Sequence, residues 1–176
     1  MDLDRTVQGF VAVGSNIEPE RNIPAALERL AARVHVVAVS THYRTEPVER
    51  PEQPPFVNGV WMIETRLSAR ELKFDVLRPI ETEMGRRRTQ DRFAPRPIDL
   101  DVVVHGDSVV REPDLVVPDP EVLERPFLAV PIVELAPHVR LPGTDLPLAE
   151  MPVSMETQGL ERLPALTALL RERLGV

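Results

Sequence analysis

The stretch Arg92-Phe93-Ala94-Pro95-Arg96-Pro97-Ile98-Asp99-Leu100-Asp101-Val102-Val103-Val104 runs from a basic segment into an apolar strand that carries two carboxylates. Successive side chains of a strand point to opposite faces, so Asp99 and Asp101 share one face. The other face is expected to hold Ile98, Leu100, Val102 and Val104. This alternation predicts a sheet strand with one buried face and one charged face.

The spacing of the two carboxylates suits divalent cations. Two residues of strand rise separate them by roughly 6.6 Å at the backbone, so both can reach one ion or two neighbouring ions. Mg²⁺ commonly takes one or two protein carboxylates and leaves its other positions to water and substrate phosphates. Two solvated carboxylates on an exposed sheet face are the alternative that the pattern alone leaves open.

An arginine-rich segment precedes the carboxylates, and Asp91 is its one acidic residue. Its arginines are Arg86, Arg87, Arg88, Arg92 and Arg96. A solvated surface is the plain interpretation of such a run. Guanidinium groups bind phosphate oxygens bidentately, however, and this basic segment lies beside an acidic pair in a chain of net charge −7. Together the two features predict a magnesium-nucleotide site.

The composition is that of a single soluble domain. The chain has 176 residues, of which 28 are acidic and 21 basic, so nucleic acid is not expected as a partner. It has no cysteine, which excludes disulfides and thiol catalysis. No apolar run approaches about 18 residues and the start is acidic, so we expect a cytoplasmic protein without a membrane partner.

The order of elements predicts an α+β fold. Strands are expected at 7–13, 36–43 and 56–66, with a helix from Asn22 and a proline-rich loop over 44–55. Ser68 and Glu71 form a capping box for a helix that Pro79 should kink or divide. After the carboxylate strand, a turn at 105–108 predicts a return strand at 109–110, and a helix follows over 125–135. We expect a ferredoxin-like sandwich, with a mainly antiparallel sheet and helices packed on its faces.

The end of the chain is expected to form a C-terminal extension with an amphipathic helix. We assign residues 1–152 to the main domain and 153–176 to an extension whose leucines recur at helical spacing. The helix is expected to pack on the domain in a monomer. A dimer contact through the same helix is the alternative.

Several short motifs resemble 6-hydroxymethyl-7,8-dihydropterin pyrophosphokinases, abbreviated HPPK, over roughly residues 7–150. The first is the segment from Arg92 to Val103. The others are Val13-Gly14-Ser15-Asn16, Tyr43-Arg44-Thr45, Phe56-Val57-Asn58, Gly85-Arg86, Val117-Pro118 and Arg125-Pro126-Phe127. The resemblance implies a ferredoxin-like enzyme that transfers the diphosphate of ATP to the pterin hydroxymethyl group and releases AMP, in folate biosynthesis.

The resemblance also implies roles for individual residues. Asp99 and Asp101 would bind two Mg²⁺ and, with Arg86 and Arg96, would form the catalytic set. The ATP-binding residues would be Glu81, Arg86, Arg92, Arg96, Val102 and Arg125. The pterin-binding residues would be Thr45, Pro47, Val48, Phe56, Asn58 and Phe127. The expected partners are ATP and the pterin.

Two positions depart from the family pattern. Asp119 stands where many members have His, and Phe93 stands where Trp is common. Asp119 favours a noncatalytic module that binds pterin or nucleotide. A phosphohydrolase or nucleotidyltransferase that uses the same acidic pair is a further alternative, against which Asn58 and Phe127 argue.

Overall fold

The computed structural model describes residues 5–47 and 50–176, so Val48 lies outside the described residues. The strands are β1 (Val7–Ser15), β2 (His35–Val39), β3 (Tyr43–Thr45), β4 (Phe56–Thr65), β5 (Asp99–His105), β6 (Val110–Glu112), β7 (Leu115–Val117) and β8 (Glu161–Arg162). The α-helices are α1 (Pro19–Ala31), α2 (Ala69–Glu71), α3 (Arg78–Glu83), α4 (Pro126–Leu135) and α5 (Pro164–Leu174). Within the described ranges, no helix is both long and apolar enough to cross a membrane.

The main sheet has the order β5-β1-β4-β3-β8, and β2 pairs with the second half of β4. Each of these pairings is antiparallel. Helices cover both faces: α1, α3 and α5 contribute to one hydrophobic cluster, and α4 contributes to the other. The α+β prediction is therefore confirmed, and the carboxylate strand β5 lies at one edge of the sheet.

The alternation predicted for β5 holds over its first half. Leu100 and Val102 are buried in the cluster beneath α1 and α3, and Asp99 and Asp101 point to the other face. The register with β1 then shifts between Phe10 and Val11. Val104 consequently joins Val103 in the cluster beneath α4, which corrects its predicted face.

The helix between β4 and β5 begins as predicted and contains an unpredicted wide turn. The Ser68 hydroxyl accepts from the Glu71 N–H, and the Glu71 carboxylate accepts from the Ser68 N–H. A π-helical segment, Leu72–Leu77, joins α2 to α3, and the Arg78 N–H donates to the Lys73 carbonyl. Pro79 follows it and cannot supply the next regular hydrogen bond, so the predicted disturbance at Pro79 takes the form of a π-helix.

Two predicted strands differ from those observed. The strand expected over 36–43 is divided into β2 and β3, because Ser40 and His42 turn the chain between them. The return strand pairs with β7 in a separate two-stranded sheet rather than with β5. This small sheet leads to Asp119 at the edge of the cleft described below.

The C-terminal segment forms part of the fold. β8 pairs with β3, and Leu166 and Leu170 of α5 are buried in the main core. The Thr167 hydroxyl accepts from the His42 N–H at 3.0 Å, and the Leu163 N–H donates to the His42 carbonyl at 2.9 Å. The terminal helix therefore packs on the domain, as expected.

Candidate functional site

A cleft of about 940 Å³ opens where the carboxylate end of β5 meets β1, β4 and the start of α4. It brings together predicted residues from five parts of the chain. Those that line it are Thr45, Phe56, Asn58, Arg92, Arg96, Asp99, Asp101, Arg125 and Phe127. The volume accommodates ligands of cofactor size.

Asp99 lies between two arginines at the mouth of this cleft. Its Oδ1 accepts from Arg86 at 2.8 Å and its Oδ2 accepts from Arg96 at 3.0 Å. Arg86 is 12% exposed, whereas the Asp99 side chain is 41% exposed. The carboxylate thus holds two guanidinium groups in place and still faces the open cleft.

Glu81 supports this arrangement from below. Its side chain is 2% exposed, and it pairs with Arg86 and Arg88 and accepts from the Leu100 N–H at 3.2 Å. Burial raises the pKa of Glu81 above its ordinary value, although Arg86 opposes the shift. In this structure Glu81 orients Arg86, and its contact with a nucleotide stays a prediction.

Asp101 has a different partner from Asp99. Its Oδ1 lies 3.6 Å from the Nζ of Lys73, and 41% of its side chain is exposed to the cleft. Burial of the carboxylate raises the pKa of Asp101 to about 6, with Lys73 lowering it and Asp99 raising it. The first turn of the π-helix therefore places the Lys73 ammonium group beside the carboxylate pair.

The part of the cleft on β4, across β1 from Asp99, forms its amide and aromatic end. Asn58 donates from Nδ2 to the Thr45 hydroxyl at 2.6 Å, so Thr45 fixes the direction of the amide. A Cβ at Gly14 would lie 2.9 Å from the Asn58 Oδ1, so glycine provides the space for this amide. The Phe56 ring lies near this amide, since both would be within 4 Å of a Cβ at Gly14, and Phe127 also lines the cleft. An amide beside aromatic rings suits a flat heterocycle.

Four of the predicted residues that the structure describes lie outside the cleft lining, and two of them, Glu81 and Arg86, lie beneath Asp99 as described above. The Val102 side chain is 1% exposed in the main core, so only its backbone could meet a nucleotide. Pro47 is buried two residues after Thr45. Val48 lies outside the described residues.

Two loops meet over the cleft through one asparagine. Asn16 donates from Nδ2 to Gln53 at 3.1 Å, and its Oδ1 accepts from the Arg96 N–H at 2.8 Å. Gln53 in turn donates to the Phe93 carbonyl at 2.6 Å. The proline-rich loop and the arginine loop are thereby joined to the end of β1.

Asp119 lines the cleft as the N-cap of a short 3-10 helix, Pro120–Leu123. Its Oδ1 accepts from the Glu121 N–H at 2.9 Å, and its N–H donates to the Val103 carbonyl at 2.8 Å. Burial raises the pKa of Asp119, while the Glu121 N–H and Lys73 lower it. The residue thus caps its own helix next to the carboxylate strand.

The carboxylate pair fits a magnesium ion. Asp99 and Asp101 supply hard oxygen ligands from the same face of β5, and both carboxylates are open to the cleft. In the part of the chain that the structure describes, no group of three or more His, Cys, Asp or Glu could hold a metal ion. This donor set suits an ion that takes its remaining ligands from water and phosphates.

Lys73 and Gln53 are among the cleft residues that the sequence interpretation missed. Gln53 lies in the proline-rich loop, which carries no pattern that would select it. Lys73 stands out in the sequence as the one lysine among 21 basic residues, but its place in the cleft depends on the unpredicted π-helix.

Comparison with known proteins identifies the family. The family model described as 7,8-dihydro-6-hydroxymethylpterin-pyrophosphokinase (HPPK) matches residues 10–137. A Pseudomonas aeruginosa protein named 2-amino-4-hydroxy-6-hydroxymethyldihydropteridine pyrophosphokinase is 42% identical over 160 residues, which cover 88% of this chain and 96% of that protein. A Haemophilus influenzae protein of the same name is 34% identical over 143 residues, covering 80% and 88%.

Solved structures agree on the fold. A Plasmodium falciparum HPPK-DHPS chain matches 99% of this chain with a TM-score of 0.65 and 12% sequence identity. This chain spans 48% of that solved chain. The sequence matches and the shared fold together show that this chain belongs to the HPPK family.

Proposed function

We propose that this chain transfers the diphosphate of ATP to the hydroxymethyl group of 6-hydroxymethyl-7,8-dihydropterin, with release of AMP, as a step in folate biosynthesis. The observation that carries the proposal is a single cleft with a carboxylate and arginine end and an amide and aromatic end. The names of the relatives from Pseudomonas aeruginosa and Haemophilus influenzae support the same reaction.

The carboxylate and arginine end is the proposed place of the ATP phosphates. Asp99 and Asp101 would hold two Mg²⁺, which when bound would offset the negative charge of the phosphates. Binding of a metal by Asp99 would free Arg86 and Arg96 to donate to phosphates. Arg92 and Arg125, which also line the cleft, would contact the same anion.

The amide and aromatic end is the proposed place of the pterin. Asn58 would pair with the amide-like edge of the ring, and Thr45 would keep its amide in the correct direction. Phe127 and Phe56 would contact the ring faces. Pro47 and Val48 complete the pterin residues that the resemblance implies.

The reaction requires correct positioning of the two substrates and stabilisation of the developing negative charge, rather than a strong base. The pterin hydroxyl oxygen forms a bond to the β-phosphorus, the bond from that phosphorus to the oxygen shared with the α-phosphorus breaks, and AMP leaves with this oxygen. The hydroxyl proton passes to solvent. Arginines aimed at the transferring group stabilise the charge that develops there, and exclusion of water prevents hydrolysis.

We also propose that the protein is a monomer and that it acts in the cytoplasm. The apolar residues Leu166 and Leu170 of α5 are buried in the core of their own chain, which supports a monomer over a dimer built on that helix. The cytoplasmic location stays a prediction from composition.

The proposal is tested by measuring the nucleotide products of ATP and Mg²⁺ with and without the pterin. We expect AMP only when the pterin is present, and a loss of at least about 100-fold in Asp99→Ala and Asp101→Ala. Asp107→Ala is the matched control, because Asp107 is exposed in the turn after the same strand. Release of phosphate without pterin would favour a phosphohydrolase, and ATP binding without AMP would favour a binding module.

A further inference from the structure

Lys73 is a cleft residue without a role in the function proposed above. It is the one lysine of the chain, and its side chain is 16% exposed in the first turn of the π-helix. Its Nζ lies 3.6 Å from the Asp101 Oδ1 and 5.8 Å from the centre of the Phe74 ring. A distance of 3.6 Å is too long for a good hydrogen bond, so the ammonium group can donate to a ligand in the cleft.

The backbone explains why a lysine can reach the cleft from this helix. Leu72 and Leu77, the first and last residues of the π-helix, are buried in the core, whereas Lys73 lines the cleft. The Lys73 carbonyl accepts from the N–H five residues later, at Arg78, so Lys73 takes part in the wide turn itself. Such turns occur frequently at functional sites.

The charge balance of the cleft gives this ammonium group a task. The acidic residues of the lining are Glu46, Asp99, Asp101, Asp114, Asp119 and Glu121, and the basic ones are Lys73, Arg78, Arg92, Arg96 and Arg125. Acidic groups therefore outnumber basic groups by one, on a surface that is proposed to receive a triphosphate. Lys73 is also close enough to influence the charge of both Asp101 and Asp119. Each cation in this lining matters for binding an anion.

We propose that Lys73 is a further phosphate-binding residue, which pairs with Asp101 in the free protein and donates to the β- or γ-phosphate once Asp101 holds a metal ion. This inference rests on the function proposed above. The exchange conserves charge pairing, because the metal replaces Lys73 as the partner of Asp101 and the phosphate replaces Asp101 as the partner of Lys73. Lys73 also lowers the pKa of Asp119, so its positive charge acts on the carboxylate at this position as well.

The first test measures binding of α,β-methylene-ATP, which cannot be cleaved at the reacting bond, by calorimetry with Mg²⁺ present. We expect Lys73→Met to weaken this binding about tenfold or more and to change AMP binding less than about twofold. Lys73→Arg should retain most of the affinity. Arg33→Met is the control for loss of one positive charge, because Arg33 pairs with Glu83 outside the cleft lining.

Two results of this experiment would overturn the inference. One is equal binding of the analogue by wild type and Lys73→Met. The other is recovery of the variant's affinity when Mg²⁺ is raised tenfold, since Lys73 would then act only by orienting Asp101. A wild-type protein that fails to bind the analogue would instead contradict the proposed function itself.

A second measurement avoids substitution. Because the chain has one lysine, protein labelled with ¹³C at lysine Cε gives a single signal from Lys73. We expect the analogue with Mg²⁺ to shift this signal beyond its position with Mg²⁺ alone, and AMP with Mg²⁺ to leave it at that position. Identical positions with the analogue and with Mg²⁺ alone would overturn the phosphate contact.

Discussion

At the scale of single residues, Asn58 serves the sheet through its backbone and the candidate site through its side chain. Its backbone lies opposite Gly14 on one side and Tyr43 on the other, in the middle of the sheet. Its side chain reaches the cleft, where Thr45 accepts one of its amide hydrogens. The amide oxygen faces the space that the missing Cβ of Gly14 leaves. Asn58 therefore has a fixed direction before any ligand arrives.

Asn58→Ala should reduce use of the pterin more than use of ATP. Loss of the amide leaves a polar ring edge unpaired, which typically costs about 1–3 kcal/mol, so we expect kcat/KM for the pterin to fall roughly 10- to 100-fold. Steady-state kinetics with each substrate varied in turn would measure this. An equal rise in KM for ATP and for the pterin would contradict the assignment of Asn58 to the pterin end.

At the same scale, sequence patterns identified residues whose spacing carries a chemical meaning. Asp99 and Asp101 follow from strand alternation, and the cleft brings them together with Arg96 as expected. The pattern did not reveal that Glu81 lies beneath Arg86, because burial of a carboxylate depends on contacts between distant segments. It also gave Lys73 no role, since its position depends on the π-helix.

At the scale of elements, local signals predicted where helices and strands begin better than how they pair. Ser68 and Glu71 marked a helix start through hydrogen bonds within one turn, and these are present. The division between β2 and β3 depends instead on His42, which contacts Trp61 on another strand. The placement of β6 beside β7 similarly depends on tertiary packing that no short pattern encodes.

His42 connects the β2–β3 junction with β4 and α5. Trp61 Nε1 can only donate, so the His42 Nε2 accepts from it at 3.3 Å, and Nδ1–H donates to the Ser40 carbonyl at 3.0 Å. Gly59 permits this packing, because a Cβ there would overlap the imidazole ring. Burial lowers the pKa of His42 from 6.5 to about 4. The ring is therefore neutral in the folded protein at pH 7.

Because His42 is buried in its neutral form, we expect the protein to lose stability in mild acid. Between pH 6.5 and about 4 the unfolded chain binds a proton at His42 that the folded chain does not, so the free energy of unfolding falls as the pH falls. The contribution of this residue is about 3 kcal/mol across that window. Urea unfolding at several pH values would measure it.

Two substitutions distinguish the contribution of His42 to the pH dependence of stability from the contributions of other titrating groups. His42→Gln should be less stable than wild type at pH 7, and the difference between them should shrink towards pH 4. His138→Gln should follow the wild-type curve, because His138 is exposed. A constant difference between His42→Gln and wild type over the whole range would contradict this account.

At the scale of the whole molecule, the fold holds two chemically different ends of one cleft in a fixed relation. β1 lies between β4, which carries Asn58, and β5, which carries Asp99 and Asp101. Asn16, at the end of β1, joins the two loops that approach the cleft from opposite sides. The C-terminal helix α5 is distant in sequence from β2 but packs against it and against the main core. It therefore stabilises the sheet that positions both ends of the cleft.

The most direct test of the shared cleft is a crystal structure with α,β-methylene-ATP, Mg²⁺ and the pterin bound together. We expect magnesium about 2.1 Å from oxygens of both Asp99 and Asp101, and the pterin ring within hydrogen-bond distance of Asn58. The pterin hydroxyl should lie about 3–3.5 Å from the β-phosphorus, opposite the oxygen that leaves with AMP. Triphosphate bound away from the Asp99 and Asp101 pair, or a pterin that does not touch Asn58, would contradict the assignment of this cleft.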